Sequence, residues 1–191
     1  MDDFVVNIFL DEIRKQARYA NAAIAELDEL LESRAGGAQP VFRALDEFLG
    51  DAARIRSMIW PVRKNGEARG RILREILKLS DDNPLADVTL RNHLEHFDER
   101  LDQWAEESKN RIFVDSNIGT RLNLPFQKGE TLRHYVPDER VYIFRGDEFA
   151  IGMIIAALDD LETRLRHVGT YKSATVTAFP GSSGSESGNS P

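Results

Sequence analysis

The chain has 191 residues, a mass of 21.6 kDa and a net charge of -7 at pH 7, a size that supports one domain with a sizeable core. Cysteine is absent, which excludes disulfides, thiolate catalysis and cysteine-bound metal centres. The acidic balance argues against a broad electrostatic surface for nucleic acid. No apolar run approaches the roughly 18 residues of a membrane span, and the N-terminus has no basic leader. We therefore expect a cytoplasmic protein with no membrane partner.

Apolar residues recur at helical spacing through the first part of the chain, which predicts three helices. The first covers residues 4–33 and is ended by Gly36 and Gly37. The second covers residues 40–60, between a proline suited to a first helical turn and a proline that stops the helix. The third covers residues 67–79 and follows a polar turn. These segments predict a helical bundle.

A fourth helix, over residues 85–108, is predicted next. Asn83 can accept a hydrogen bond at the N-cap, and Pro84 fits the first helical position. The apolar side chains of this helix should face the core, because they fall within roughly 80° of arc. They are Leu90, Leu94, Phe97, Leu101 and Trp104.

The pattern changes after this helix. Residues 112–114 and 141–144 are short β-branched and aromatic runs, which predict a small β-hairpin, with residues 146–148 as a turn after the second run. Residues 119–139 form a long polar connection that we expect to be either mobile or draped over the bundle. Residues 151–167 resume a helical pattern and predict the last helix.

The predicted fold class is mainly α: a single-domain helical bundle, over residues 1–168, with a small β-hairpin before the last helix. Residues 169–191 are rich in glycine and serine near their end. Such a segment cannot bury enough apolar surface to offset the entropy of ordering it. We therefore expect a disordered tail.

The polar face of the predicted fourth helix carries the strongest candidate site. Arg91 and His96 flank this face about 140° apart, and Asn92 lies between them. A permanent cation, an amide and an imidazole within about two turns can bind a phosphate and move a proton near neutral pH. The same side chains could instead form a surface ion-pair network with Glu95 and Glu99, and this interpretation stays open.

Residues 91–96 read RNHLEH, in which an arginine is followed by a polar residue and, after four intervening residues, by a histidine. This pattern resembles the signature of the HEPN superfamily, small α-helical domains of which many are metal-independent endoribonucleases. Many ribonuclease members also carry a tyrosine two residues after the histidine, where this chain has Asp98. In architecture the resemblance covers roughly residues 4–167; in specific residues it covers Arg91 to His96.

The resemblance implies a homodimer in which Arg91 and His96 of two protomers form one cleft. His96 would shuttle a proton while a 2′-hydroxyl of an RNA substrate attacks the adjacent phosphate. Arg91 would stabilise the charge on the phosphate oxygens, and Asn92 would orient the pair. The resemblance implies no metal, no cofactor, and an antitoxin or nucleotidyltransferase as partner. The expected activity is that of a toxin-type or defence-type endoribonuclease.

The remaining histidines rank lower as site residues. His93 lies nearer the apolar stripe, where a packed and hydrogen-bonded histidine is expected. His134 falls in the polar connection, and His167 lies in the last helical turn, where a cation suits the helix dipole. His93 and His96 lack the matching Glu-x-x-His of a bundle metal site, which argues against a shared metal.

Two other interpretations of the sequence remain open. The first is a non-catalytic HEPN-like module that uses the same helix face to dimerise or to bind a partner. The second is a helical bundle unrelated to HEPN. A neighbouring gene for a small nucleotidyltransferase would favour a toxin–antitoxin pair.

Overall fold

The computed structural model describes residues 2–33, 36–87, 97–109, 111–121 and 130–168. Outside these residues lie the candidate site at Arg91, Asn92 and His96, the predicted position of His93, and the tail at residues 169–191. Parts of the predicted fourth helix and of the polar connection, residues 88–96 and 122–129, lie outside them as well. The other predicted helices and strands can be compared with the structure one by one.

Two long helices joined by a short turn form the frame of the molecule. Helix α1 is Asp3–Ser33 and helix α2 is Ala38–Ile59, so the first two predicted helices are confirmed to within a few residues. Gly36 and Gly37 have φ angles of 82° and 71°, a conformation that glycine adopts without strain. Each helix buries an apolar stripe against the other, because its apolar residues recur every three or four positions.

A short 3₁₀ turn, Lys64–Gly66, leads into helix α3, Glu67–Leu77. Helix α3 packs against the end of α2 through Gly70. A Cβ atom at this position would lie 2.6 Å from Cδ of Pro61 and 2.7 Å from the carbonyl oxygen of Ile59, so glycine permits the close approach. Lys78 then takes a left-handed conformation, with φ 52°, and ends the helix.

The prediction of one continuous helix from residue 85 is wrong at its start. Asn83 caps a turn as expected, since its Oδ1 accepts a hydrogen bond from the Leu85 backbone N–H at 2.9 Å. The turn is a 3₁₀ helix of three residues, Pro84–Ala86, and Asp87 is extended, with ψ 132°. Leu85 is buried in the core, so the turn is packed against the helices. Residues 88–96 lie outside the described residues, and the next described helix, α4, is Phe97–Glu107.

Helix α4 lies on the surface of the core. None of its residues is fully buried, and its apolar side chains Phe97 and Leu101 are partly buried against the core cluster. Trp104 packs edge to face on Phe113, with ring centroids 4.7 Å apart. Within α4 the apolar stripe therefore faces the core, as the helical spacing predicted, but without being enclosed.

A four-stranded sheet follows, with strand order β1-β2-β3-β4. Its strands are β1 (Asn117–Ile118), β2 (Arg133–Val136), β3 (Val141–Phe144) and β4 (Asp147–Ala150). Strand β1 pairs with β2 in parallel, and the other two pairs are antiparallel. A 3₁₀ turn, Pro137–Glu139, separates β2 from β3. The hairpin directly before the last helix is formed by β3 and β4.

The predicted pairing of residues 112–114 with 141–144 is wrong. Residues 141–144 form a strand, but Val114 makes only an isolated bridge, to Thr131. The partner of β3 comes instead from the end of the long polar connection, where His134 and Tyr135 are buried. Consecutive positive φ angles at Arg145 and Gly146 form the tight turn between β3 and β4. The turn predicted at residues 146–148 is therefore wrong after Gly146, because residues 147 and 148 already pair with β3 as the start of β4.

Helix α5, Ile151–His167, confirms the last predicted helix and returns along α1 and α3. Arg164 donates hydrogen bonds to the carbonyl oxygens of Leu77 and Lys78, at 3.2 and 2.7 Å. Arg14 of α1 donates to the carbonyl oxygens of Leu165 and Val168, at 3.2 and 2.7 Å. These arginines satisfy carbonyl groups that helix ends leave without partners. Among the described residues, no helix is long and apolar enough to cross a membrane.

Candidate functional site

The segment that holds the sequence-predicted site leads directly into helix α4. His96 immediately precedes Phe97, the first residue of that helix. The Phe97 ring packs edge to face on Phe144 of β3, with centroids 6.2 Å apart, and faces the guanidinium of Arg133 at 5.4 Å. The turn between β3 and β4 holds the same helix, because Arg145 donates to Oε1 of Gln103 at 3.0 Å. These contacts fix the start of α4, the residue that follows the motif in the chain.

Arg133, at the start of β2, is the centre of an ionic cluster that sequence reasoning did not find. Its Nε and Nη2 atoms donate to the two carboxylate oxygens of Asp115, at 2.8 and 2.6 Å. Its Nη1 atom lies 3.5 Å from Oδ2 of Asp46 on α2. Only about a fifth of each side chain of the Arg133–Asp115 pair is exposed, 20% and 21%. We call Arg133, Asp115 and Asp46 the Arg133 cluster.

Two aromatic rings cover the guanidinium of Arg133. The carbon at its centre lies 5.3 Å from the ring centroid of Phe42 and 5.4 Å from that of Phe97. A guanidinium attracts the negative face of an aromatic ring, and this attraction is stronger when water is excluded. The rings belong to α2 and α4, so one side chain joins the sheet to both helices.

The cluster forms one end of a cleft between α1, α2 and the sheet, with a volume of about 840 Å³; we call it the α1–α2 cleft. Small residues of the helices leave room for it: Ala22, Ala23 and Gly50. Five carboxylates line it: Glu26, Asp46, Glu47, Asp51 and Asp115. Three arginines line it as well: Arg43, Arg54 and Arg133.

The environment of the cleft raises the pKa of two of its carboxyl groups and lowers the pKa of a third. Burial raises the pKa of Asp51 above its ordinary value, although the hydrogen bond from Arg54 opposes this. Enclosure by the cleft walls also raises the pKa of Asp46, against the charge of Arg133, even though 44% of its side chain is exposed. Burial acts in the same direction on Asp115, but the hydrogen bonds and charge of Arg133 outweigh it and leave the Asp115 pKa lowered.

Tyr142 of β3 has a fully buried side chain, and its ring packs edge to face on Phe42, with centroids 6.1 Å apart. Burial raises its pKa; the charges of Asp46 and Asp115 act in the same direction, and that of Arg133 opposes them. Its hydroxyl has no hydrogen-bond partner among the described residues. The raised pKa keeps this hydroxyl neutral, so it can both donate and accept a hydrogen bond.

The described histidines do not join this site. His134 is buried in β2, where its Nε2 lies 3.2 Å from the carbonyl oxygen of Thr120, and burial lowers its pKa. Exposed His167 places Nδ1 2.7 Å from the Thr163 carbonyl oxygen in its own helix. No group of three or more metal-binding side chains was found within the described part of the chain.

Sequence reasoning missed the Arg133 cluster because its members come from three distant segments. Asp46 lies among charged residues of α2 that resemble any solvated helix face. Arg133 lies in a segment that was interpreted as a polar connection. The available signal was the run from Arg133 to Val136, whose aromatic and β-branched residues are typical of a strand.

The chain was compared with models of protein families, with curated proteins and with solved structures, and none of the three comparisons gives a match.

Replacing Arg133 with alanine should lower the free energy of unfolding by about 2 to 3 kcal/mol. The reason is that Asp115 and Asp46 would be left without their cation in a partly buried position, a change more costly than loss of an exposed pair. Urea denaturation at pH 7 measures this. Arg43→Ala is the matched control, since Arg43 also contacts two carboxylates of the cleft but is half exposed; it should cost at most about 1 kcal/mol. Equal effects of the two substitutions would contradict a central role for Arg133.

Asp51→Asn and Asp115→Asn should change stability with opposite pH dependence. The folded-state pKa of Asp51 is raised. Its contribution to stability is therefore complete at pH values below its pKa in the unfolded chain, and it is lost as the pH rises through its pKa in the folded protein. Asparagine does not titrate, so Asp51→Asn should gain stability relative to wild type over that interval. The folded-state pKa of Asp115 is lowered, so Asp115→Asn should be most destabilising near neutral pH and less so in acid. Thermal unfolding of wild type and both variants from pH 3 to 7 tests these predictions. If the Tm differences of the two variants from wild type changed with pH in the same direction, the assigned pKa shifts would be contradicted.

Proposed function

We propose that this protein is a HEPN-like, metal-independent endoribonuclease of toxin or defence type, acting in the cytoplasm as a homodimer. The observation that carries the proposal is the motif Arg91, Asn92, His96 in a mainly helical chain. The motif stands directly before α4, a helix held to the core by Phe97. A catalytic segment joined to a fixed element can hold its side chains in a reproducible position.

The proposed chemistry assigns one role to each motif residue. His96 takes the proton of a ribose 2′-hydroxyl, whose oxygen then forms a bond to the adjacent phosphorus. The bond from phosphorus to the 5′-oxygen breaks, and that oxygen receives a proton, which leaves a cyclic phosphate and a 5′-hydroxyl. Arg91 stabilises the phosphate oxygens while charge builds on them, and Asn92 orients the two side chains.

The charges of the described residues limit where RNA could run. Asp98 and Glu99, in the first turn of α4, are exposed, and the α1–α2 cleft has more carboxylates than arginines. Carboxylates repel the phosphate backbone. We therefore infer that RNA enters neither the α1–α2 cleft nor the surface over the first turn of α4.

The alternative is a non-catalytic HEPN-like interaction module. Asp98 favours it, because it occupies a position where many ribonuclease members carry a tyrosine. In this case the Arg91 face would bind a second copy of the chain, or an antitoxin or nucleotidyltransferase partner, without cleaving RNA.

Cleavage of RNA should continue in excess chelator, and His96→Ala should slow it by about 10²- to 10⁴-fold, the usual contribution of one acid–base side chain. Arg91→Ala should also abolish cleavage, because the phosphate charge would lose its partner. The measurement is the rate of cleavage of a labelled single-stranded RNA, with the product ends identified as cyclic phosphate and 5′-hydroxyl.

His167→Ala is the matched control for the cleavage assay, because His167 is an exposed histidine whose ring bonds only within its own helix. It should cleave at the wild-type rate. His93→Ala should act through stability. A His96→Ala variant as fast as wild type would refute the catalytic role, whereas a wild-type dimer that binds a partner but cleaves no RNA would support the interaction module.

The proposed dimer should be sensitive to the charge of the motif. A two-fold interface places the same face of each chain against its copy, so Arg91→Glu should weaken the dimer by setting like charges of Glu95 and the new glutamate close together. Sedimentation velocity at micromolar concentrations measures this. Arg166→Glu is the control, because Arg166 lies exposed on α5. A wild-type monomer, or equal effects of both reversals, would contradict the interface.

A further inference from the structure

Residues 119–121, directly after β1, lie against the face of the sheet that is turned away from α2; we call them the strap. Arg133 directs its side chain to α2, so His134, the next residue of β2, directs its side chain to the opposite face. There the carbonyl oxygen of Thr120 lies 3.2 Å from Nε2 of His134. A buried histidine therefore joins the sheet to the strap.

Two further contacts hold the strap in place. The backbone N–H of Gly119 donates to the carbonyl oxygen of Tyr135 at 3.1 Å. Nε and Nη2 of Arg121 donate to Oε2 of Glu139 at 2.9 and 2.8 Å, and Nη1 pairs with Glu148 of β4. These ionic side chains are about half exposed, and exposed ion pairs contribute little to stability. The buried contact at the histidine can therefore decide whether the strap stays on the sheet.

The ring of His134 can keep its contact with the strap only while it is neutral. A carbonyl oxygen accepts hydrogen bonds but cannot donate them, so Nε2 carries the proton that is donated to Thr120. Nδ1 is buried and has no hydrogen-bond partner among the described residues, and the residue is only 2% exposed. A proton on Nδ1 would create a charge and a donor without an acceptor inside the protein, and both are unfavourable.

The charged groups around His134 do not compensate such a proton. Glu148 of β4 lies on the same face of the sheet, because each of the two residues pairs with Ile143. Glu139 follows β2 in the 3₁₀ turn. Both carboxylates are already bound by Arg121 of the strap, whose own charge would repel an imidazolium.

The pKa of His134 agrees with this geometry. Burial lowers it, and the hydrogen bond to the Thr120 carbonyl opposes burial only in part. No charged side chain, Glu130 included, is among the causes of the shift. Residues 122–129, which follow the strap in the chain, read LNLPFQKG and contain a lysine but no carboxylate.

We propose that the strap is a pH-sensitive switch, which lies on the sheet while His134 is neutral and dissociates from it when His134 is protonated on both ring nitrogens. Dissociation would break the hydrogen bonds of Gly119 and Thr120 to the sheet and allow water to solvate the imidazolium. The proposal does not depend on RNA cleavage, because none of these residues belongs to the motif from Arg91 to His96.

The direction of the pH effect follows from proton uptake. With the strap dissociated, His134 is exposed and titrates near its ordinary pKa of about 6.5, whereas burial lowers this pKa when the strap is in place. The closed strap is therefore fully stable above pH 6.5 and loses stability as the pH falls toward the lowered pKa. In that interval the ratio of closed to open strap should fall by up to about tenfold per pH unit. Glu139 stays ionised there, because Arg121 lowers its pKa.

Hydrogen exchange of the full chain between pH 7.5 and 5, corrected for the pH dependence of the intrinsic exchange rate, tests the proposal. The amide of Gly119 reports the strap, and its protection should be constant above pH 6.5 and fall by up to about tenfold per unit below it. The amide of Arg145 is the control, because it donates to the Leu132 carbonyl at 2.8 Å within the same sheet region. Its protection should not change. Constant protection of Gly119, or an equal loss at Arg145, would overturn the proposal.

His134→Gln should make the protection of Gly119 independent of pH, because the glutamine amide can donate a hydrogen bond but does not titrate. His167→Gln is the matched control, since His167 is exposed and bonds within its own helix; it should keep the wild-type pH dependence. A wild-type pH dependence in His134→Gln would overturn the proposal.

Nuclear magnetic resonance titration of the imidazole groups in wild type needs no variant, and it decides the matter if His134→Gln does not fold. The His134 ring should titrate below pH 6.5, over the same interval in which Gly119 loses protection. A His134 ring that titrates at or above pH 6.5, or that stays neutral while Gly119 loses protection, would overturn the proposal.

Discussion

The guanidinium of Arg133 is the contact on which the arrangement of sheet and helices depends. It binds both oxygens of Asp115, approaches Asp46 of α2, and lies between the rings of Phe42 and Phe97. A lysine could not replace it, because only the planar fork of arginine bonds a carboxylate twice while stacking on aromatic faces. One side chain thus fixes the distance of β2 from α2 and from the start of α4.

Arg133 also closes one end of the α1–α2 cleft, where the Phe97 ring of α4 packs against its guanidinium. The carboxylates of the cleft are partly neutralised by arginines, and their excess charge would repel RNA. The cleft is therefore not suited to the RNA chemistry that we propose for the motif from Arg91 to His96.

Local physical chemistry explains why the helices could be predicted. Helices α1, α2, α3 and α5 have long periodic apolar stripes, and glycine, proline or a polar turn marks most of their ends. The sheet was predicted poorly, because two-residue and four-residue strands provide too few residues for a clear alternation. Strand β2 in particular begins with Arg133 and His134, and a polar residue becomes buried only when a partner such as Asp115 satisfies it.

The sequence by itself determined the helical class and the motif from Arg91 to His96, because these depend on residues close together in the chain. Only the tertiary structure decided that the helix expected from residue 85 begins instead with a three-residue 3₁₀ turn followed by the extended Asp87. It alone brought Asp46, Asp115 and Arg133 together. An ionic cluster of this kind requires long-range packing to exclude water and to bring together charges from distant segments, and no local pattern records that.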